Sequence, residues 1–478
     1  MKLLRGLEKS RQFLFLIFTA FIFFILRLPS LFEPLWYGDE GIYQVLGTSL
    51  SHGKLLYKEV FDNKPPLLYW LYSFFHSDQF SVRLVSLIFG VLSVWFFFLL
   101  SKKLFNSARN SFLPYLTTII FTLLFGLPTL EGNIANAENF MLLPIIVSAF
   151  LIINQKKFFI AGLLLGIAFL FKIVAVFDLS AFLVFSIILN FNSFKKEVKL
   201  YPIIAGFSLP LFLVSIFFIF NNTFIDFVKA TFVSNISYVG YGNNIGSLPI
   251  LMIIKLITLG IFIFYIFKKR KNINQSSLFI LIWFAFSLFN AFFSQRPYTH
   301  YLLVLIPSLS LLIGLIFFDK KNQKIITVIF LIALLVIAKG FGRTRFDKSI
   351  NYYRNFVSYL TGQKTMASYQ GFFDHNTPFD YEMARFIKPK LSKTDTVFVW
   401  GNNAQLYQII GVVAPAKYVV AYHILNYKDG FTTTQAALET NKPKFIVILQ
   451  GERQIPFNMM HYSVKINIYN ASIYERIF

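Results

Sequence analysis

"LWYGDEGIYQVLGTSLSHGKLLYKEVFDNKPPLLYWLY", residues 35–72, sets Asp39 and Glu40 side by side and places Lys64 directly before two prolines, yet very apolar sequence lies on either side. Of the 478 residues, 56% are hydrophobic, 19% aromatic and 14% charged, with a mean hydropathy of +0.61. Soluble domains carry roughly 25% charged residues. The balance therefore points to a membrane protein. Crossing the hydrocarbon core takes about 20 apolar residues per helix, because only a helix or a closed barrel satisfies its own backbone there.

About eleven runs meet or approach that length by hydropathy. They are Phe13 to Leu28, Val82 to Leu100, Phe112 to Leu127, Phe140 to Ile153, Phe158 to Phe171, Ile173 to Leu189, Ile203 to Phe220, Leu248 to Phe267, Leu278 to Phe293, Tyr301 to Phe318 and Ile325 to Ala338. Those around Asn139 and Lys172 are at the short end.

The net charge of +23 invites comparison with nucleic-acid binders, but its placement argues against one. Basic residues gather in alternate loops: Lys2, Arg5, Lys9 and Arg11; Lys102, Lys103 and Arg109; Lys156 and Lys157; Lys195, Lys196 and Lys199; Lys268 to Lys271; and Lys320, Lys321 and Lys324. With eleven spans these loops share one side, which the positive-inside rule makes cytoplasmic. Residues 35–72 then face outward, the N-terminus lies inside, and the chain beyond Ala338 emerges outside. The first span is expected to be retained, since it exceeds an ordinary signal-peptide core and no small-residue cleavage site follows it. With no cysteine, the outward tail must be held by its core alone.

The expected architecture is a mainly α, polytopic helical bundle over residues 1–339, with an outward loop over 30–80, followed by a small soluble α/β domain over 340–478. In the loop, "IYQVLGTSL" has helical spacing and a second short helix is expected from Pro65, both along the bilayer surface. In the tail, "TVFVWG", "AKYVVAY" and "KFIVILQG" read as strands, with "NAQLYQIIGV" and "TTTQAALET" as helices, which suggests a mostly parallel sheet. No dinucleotide fingerprint, phosphate-binding glycine loop, zinc finger or internal repeat is present.

Carboxylates beside a membrane need hydration or a partner. Asp39 could act as a general base towards a hydroxyl, or cap the helix starting near Gly41. Adjacent helical residues point about 100° apart, so Glu40 must have a different role. Lys64 could hold a phosphate, because the prolines remove two competing donors; pairing with Asp62 or snorkelling to lipid are the alternatives. Glu131 and Glu138 could bind acceptor hydroxyls or a cation, or be hydrated loop acids. Lys172 could reach a phosphate or snorkel. Arg296 suits phosphate oxygens, and His300 could donate to the same group or ligate a metal.

Taken together, the loop around "GDEG" and "DNKPP", "FSVRLVSLIFGVLSVWFFFLLSKKLF", "IANAENFMLLP", "AGLLLGIAFLFK" and "QRPYTHYLLVLIPSLSLLIG" resemble bacterial relatives of protein O-mannosyltransferases and aminoarabinose transferases, glycosyltransferases of the C superfamily. The likeness spans most of residues 10–320. It implies a cell-membrane enzyme that takes a sugar from a polyprenyl-phosphate donor and passes it to an extracytoplasmic acceptor, without a nucleotide. It implies Asp39 as catalytic base and Glu40 in support, with Lys64, Arg296, His300 and Lys172 towards the donor phosphate. Glu138, Glu131 and Tyr43 are then acceptor-binding candidates. Asp62 and His300 are candidates for a divalent cation. The competing reading is a multi-pass transporter or lipid-linked sugar flippase, which would carry its ionisable groups at the bilayer midplane.

Overall fold

The protein is described by a computed structural model. It describes residues 2–106, 111–191, 200–236, 239, 249–296, 298–341, 347–449, 451, 454–469 and 471–477. Arg109, Lys195, Lys196 and Lys199 of the basic loops, and most of the segment 237–248, lie outside the described residues.

In chain order the helices are Lys2–Arg27 (α1), Gly38–Ser51 (α2), Pro66–Phe74 (α3), Gln79–Leu104 (α4), Leu113–Gly126 (α5), Ala137–Ile153 (α6), Phe158–Phe171 (α7), Val176–Leu189 (α8), Leu200–Phe220 (α9), Ile250–Lys269 (α10), Gln275–Ala291 (α11), Ile306–Phe318 (α12) and Gln323–Phe341 (α13). The tail adds Asp347–Leu360 (α14), Thr377–Ile387 (α15), Gln405–Ile410 (α16), Ala421–Asn426 (α17) and Gly430–Asn441 (α18). Its strands are Val397–Trp400 (β1), Phe445–Ile448 (β2), Tyr462–Ile468 (β3) and Ala471–Arg476 (β4). The chain divides into two compact units. One comprises residues 1–28, 85–216 and 233–349; the other comprises 29–84, 217–232 and 350–478.

The first unit is a bundle of the apolar helices. Each of the eleven apolar runs forms a helix, but among the described residues six are long and apolar enough to cross a membrane and five are shorter. At 1.5 Å per residue, the 14-residue α5 and α7 are shorter than the ~30 Å hydrocarbon core. Small residues bring helices together. A Cβ on Gly162 of α7 would lie 2.0 Å from the Ile203 carbonyl of α9, and one on Gly206 of α9 would meet the Phe159 carbonyl at the same distance. Polar bonds tie neighbouring helices where no hydrophobic drive exists between them. Trp283 Nε1 of α11 donates to Asp178 Oδ1 of α8 at 2.7 Å, and Ser148 Oγ of α6 donates to the Ala161 carbonyl of α7 at 2.9 Å. Helix α10 leaves Ile253, Ile254, Leu256, Ile257 and Ile261 exposed, as suits a helix facing lipid.

The second unit joins the loop to the tail. Helix α2 buries nine of its fourteen residues, chiefly against α3 and α16. Gly41 is required at the second contact: a Cβ there would lie 2.6 Å from the Gln405 backbone nitrogen. Helix α3 begins at Pro66, one residue later than expected, with Pro65 extended before it. In the tail the strand order is β1-β2-β4-β3. Only β1 and β2 pair in parallel; β2 with β4 and β3 with β4 are antiparallel. The sheet is therefore mixed rather than mostly parallel.

"AKYVVAY" is not a strand. Ala416, Tyr418, Val419, Val420 and Ala421 are buried, but the backbone bonds go elsewhere: the Lys417 carbonyl accepts from Phe61 N of the loop, and Ala421 N donates to the Gly401 carbonyl. Tyr418 instead donates to Asp429 at 2.6 Å and stacks on Tyr427.

Candidate active site

The charges of the second unit are organised by α2. Its N-cap position is Tyr37, with no capping side chain, so Asp39 lies inside the first turn rather than before the helix. Unsatisfied N–H groups there favour a carboxylate. Tyr43, one turn on, donates to Asp39 Oδ2 at 3.2 Å, and Lys64 Nζ lies 3.8 Å from the same oxygen. The Asp39 side chain remains 36% exposed, so it is open to exchange protons with a bound molecule.

Lys64 is held from several sides. Its Nζ lies 3.5 Å from Asp62 Oδ2 and 4.8 Å from the centre of the Tyr43 ring. Its backbone N–H donates to the Tyr69 hydroxyl at 3.2 Å, and its carbonyl accepts from the Tyr57 hydroxyl at 2.7 Å. Asp62 is buried and accepts from Tyr69 OH at 2.7 Å and Asn63 N at 2.8 Å. Burial alone would push the Asp62 carboxyl up; the Lys64 ammonium, His423 and these donors outweigh it and hold it below the usual carboxylate range. Burial also pushes the His423 imidazole down to about 4, although Asp62 lies 3.8 Å from its Nε2. At neutral pH His423 is therefore uncharged, and Lys64 with the hydrogen bonds keeps Asp62 ionised.

Glu40 does not join this cluster. It turns inward to Arg83, which gives it two bonds, from Nε at 3.0 Å and Nη2 at 2.5 Å. Arg83 Nη1 meets Glu33 at 2.9 Å and the Ser30 carbonyl at 2.6 Å. Glu33 also accepts from Tyr352 at 2.5 Å and Trp36 at 2.8 Å. Two carboxylates share one guanidinium in a buried clamp, and Tyr352 and Trp36 add donors to Glu33. The adjacent acids thus divide: Asp39 is open, whereas Glu40 is tied down behind it.

The first unit holds a second cluster. Glu138, in the first turn of α6, pairs with Lys172 at the end of α7. Its Oε2 is buried with no hydrogen-bond partner. His300 lies between the acids, with Nδ1 2.8 Å from Glu131 Oε2 and Nε2 3.8 Å from Glu138 Oε1. Thr299 donates to Glu131 Oε1 at 2.5 Å, and Lys172 Nζ stands 4.5 Å over the Tyr301 ring. Glu131 adopts a left-handed backbone conformation, φ +59°, which turns the chain before α6. Arg296 is half-buried in the segment just before Thr299.

A family model described as dolichyl-phosphate-mannose-protein mannosyltransferase matches residues 63–218, and includes Lys64, Glu138 and Lys172. The crystal structure of ArnT from Cupriavidus metallidurans bound to undecaprenyl phosphate is similar over 97% of this chain and 98% of that one, with a TM-score of 0.59 at 13% identity. The chain has the glycosyltransferase C fold. The Archaeoglobus fulgidus oligosaccharyltransferase AglB, in complex with an inhibitory peptide and a dolichol-phosphate, is similar over 92% of this chain and 69% of that one, at 12% identity and a TM-score of 0.46. A structure of the same archaeal enzyme with Zn and sulfate covers 91% and 67%, at 12% identity and 0.43. No curated protein matches the chain in sequence.

Among the described residues no three His, Cys, Asp or Glu side chains are placed to hold a metal ion. Asp62 is already engaged by Lys64, Tyr69 and Asn63, and His300 by Glu131. Arg83 and Glu33 went unassigned in the sequence reading; a lone arginine in the first turn of an apolar span was the available signal. Tyr57, Tyr69 and His423 gave no such signal, because tyrosines are common at membrane interfaces and His423 is remote in sequence.

Proposed function

We propose that this chain is a membrane glycosyltransferase that moves a sugar from a polyprenyl phosphate to an acceptor hydroxyl, with Asp39 as general base and Lys64 towards the donor phosphate, on the extracytoplasmic face of the cell membrane. The observation that carries this reading is the pairing of an exposed carboxylate and a constrained ammonium, Asp39 and Lys64, 3.8 Å apart at the N-terminus of α2. The glycosyltransferase C fold supports the same class of chemistry.

The acceptor oxygen attacks the anomeric carbon as its proton passes to an Asp39 carboxylate oxygen. The bond from that carbon to the phosphate oxygen breaks, and polyprenyl phosphate departs with the electron pair. Attack opposite the leaving group inverts the anomeric centre, by analogy with inverting glycosidases. The leaving phosphate gains negative charge in the transition state, so a cation already fixed by Tyr57, Tyr69 and Asp62 contributes without reorganising. Asp62, 3.5 Å from Lys64 Nζ, shares the ammonium with Asp39.

Tyr43, which donates to Asp39 within the second unit, is the secondary assignment as an acceptor contact. Glu40 positions Asp39 through the Arg83 clamp. The test is turnover of a labelled polyprenyl-phosphate sugar by purified protein, read as release of polyprenyl phosphate. Asp39→Asn is expected to lower kcat by about 10²–10⁴-fold, with donor binding retained. Full turnover in Asp39→Asn would remove the base assignment; no turnover of any polyprenyl-linked sugar by the unaltered protein would remove the function.

A further inference from the structure

The second unit contains a cavity of about 310 Å³ that none of the groups discussed so far requires. One wall is Gly38, the residue before Asp39, with Trp36; the others come from the tail. Phe379 and Tyr469 stack face to face, 4.2 Å between ring centres, and form an aromatic platform at the edge. Beside them Asp380 and Gln405 are buried, and Asn403 Nδ2 donates to Asp380 Oδ2 at 2.5 Å. Two oxygens there, Asn403 Oδ1 and Gln405 Oε1, are buried without a hydrogen-bond partner among the described residues. Leaving a buried acceptor unpaired is costly, so the pocket favours a ligand with hydroxyl donors.

We propose that this cavity binds a neutral glycan acceptor, with a sugar ring against the Phe379 and Tyr469 platform and its hydroxyls shared among Asp380, Asn403 and Gln405. The inference rests on the transferase reading and names its acceptor class. Planar amides and carboxyls can engage neighbouring hydroxyls, while an aromatic face accepts the C–H side of a sugar ring. Among the described residues no lysine or arginine lines the cavity, and Asp374 joins Asp380 there, so a phosphate is disfavoured. Burial pushes the Asp380 carboxyl up to about 7, against the Asn403 bond, which lets it donate as well as accept near neutral pH. Gly38 in the wall places the bound sugar next to the residue that carries the proposed base.

The experiment is saturation-transfer NMR on the full chain in nanodiscs, without donor, against a panel of neutral mono- and disaccharides and a threonine-containing peptide. At least one saccharide should bind, and Asn403→Ala and Asp380→Ala should each weaken it by tenfold or more. If Asp380→Ala does not fold, Tyr469→Ala at a half-exposed position tests the platform alone. Saccharide binding that is unchanged by these substitutions, no saccharide binding, or binding of the peptide alone would overturn the proposal. Because no donor is present, the two readings fail separately. Asp39-dependent turnover without saccharide binding removes only the glycan pocket, whereas saccharide binding without turnover of any lipid-linked sugar removes the transferase.

Discussion

Replacing Arg83 by methionine removes the one cation shared by Glu33 and Glu40, while leaving both carboxylates where water cannot reach them. The arginine makes four close contacts, at 3.0 and 2.5 Å to Glu40, 2.9 Å to Glu33 and 2.6 Å to the Ser30 carbonyl. Breaking a buried ion pair by removing one partner typically costs about 3–5 kcal/mol. The expected loss lies at the upper end of that range, because two buried acids lose the same cation while Tyr352 and Trp36 still donate to Glu33. Since 1.4 kcal/mol is a factor of ten, the open population of the loop should rise by more than a hundredfold. Limited trypsin digestion reads this directly at the exposed Lys58, whose cleavage rate follows the open fraction when reclosing is fast. Adding Glu33→Gln and Glu40→Gln to Arg83→Met should recover much of the loss, because amides cost less to leave unpaired than charges. Cleavage and stability equal to the unaltered protein in Arg83→Met would refute the clamp as the support of α2.

Acid should weaken the second unit through His423. Its folded value, about 4, lies below the ordinary 6.5, so the unfolded chain binds the proton more readily and stability falls as pH drops from 6.5 towards 4, by about 3 kcal/mol at most. Denaturant melts at pH 7 and pH 4.5 check this, and His423→Gln should flatten the difference. Gly41→Ala should cost about 1–3 kcal/mol by overpacking, since its new Cβ would meet Gln405 N at 2.6 Å. Gly260→Ala in α10 meets nothing within 4 Å and should be neutral or slightly stabilising by the same melts.

The apolar runs were legible because the bilayer demands length and composition together, and that demand is written locally. Five helices fell short for a reason equally local: Pro, Asn and Lys residues such as Lys172 interrupt apolar sequence that hydropathy alone would extend. Asp39 and Lys64 could be picked out as charges in a hydrophobic setting. The sequence tells Glu40 from Asp39 in role, but does not show that it turns to Arg83, which lies 43 residues away and looks like a helix-end residue. Nothing in the sequence pairs Glu138 with Lys172, 34 residues on, yet the two form an ion pair. In the tail, β3 has exposed positions along most of its length, so it lacks the apolar signature that exposed β1 and β2 to the sequence reading. "AKYVVAY" has that signature, but its burial is met by side-chain packing and scattered backbone bonds rather than a ladder.

The bond from Gln405 to the Trp36 carbonyl joins positions 369 residues apart. During synthesis the loop is made 369 residues ahead of its packing partner. For most of that interval α2 has no α16 to cover it and Phe61 has no Lys417 carbonyl to bind. Growing chains must therefore carry an unfinished, aromatic-rich segment, which early termination would leave permanently exposed to proteases and quality-control factors.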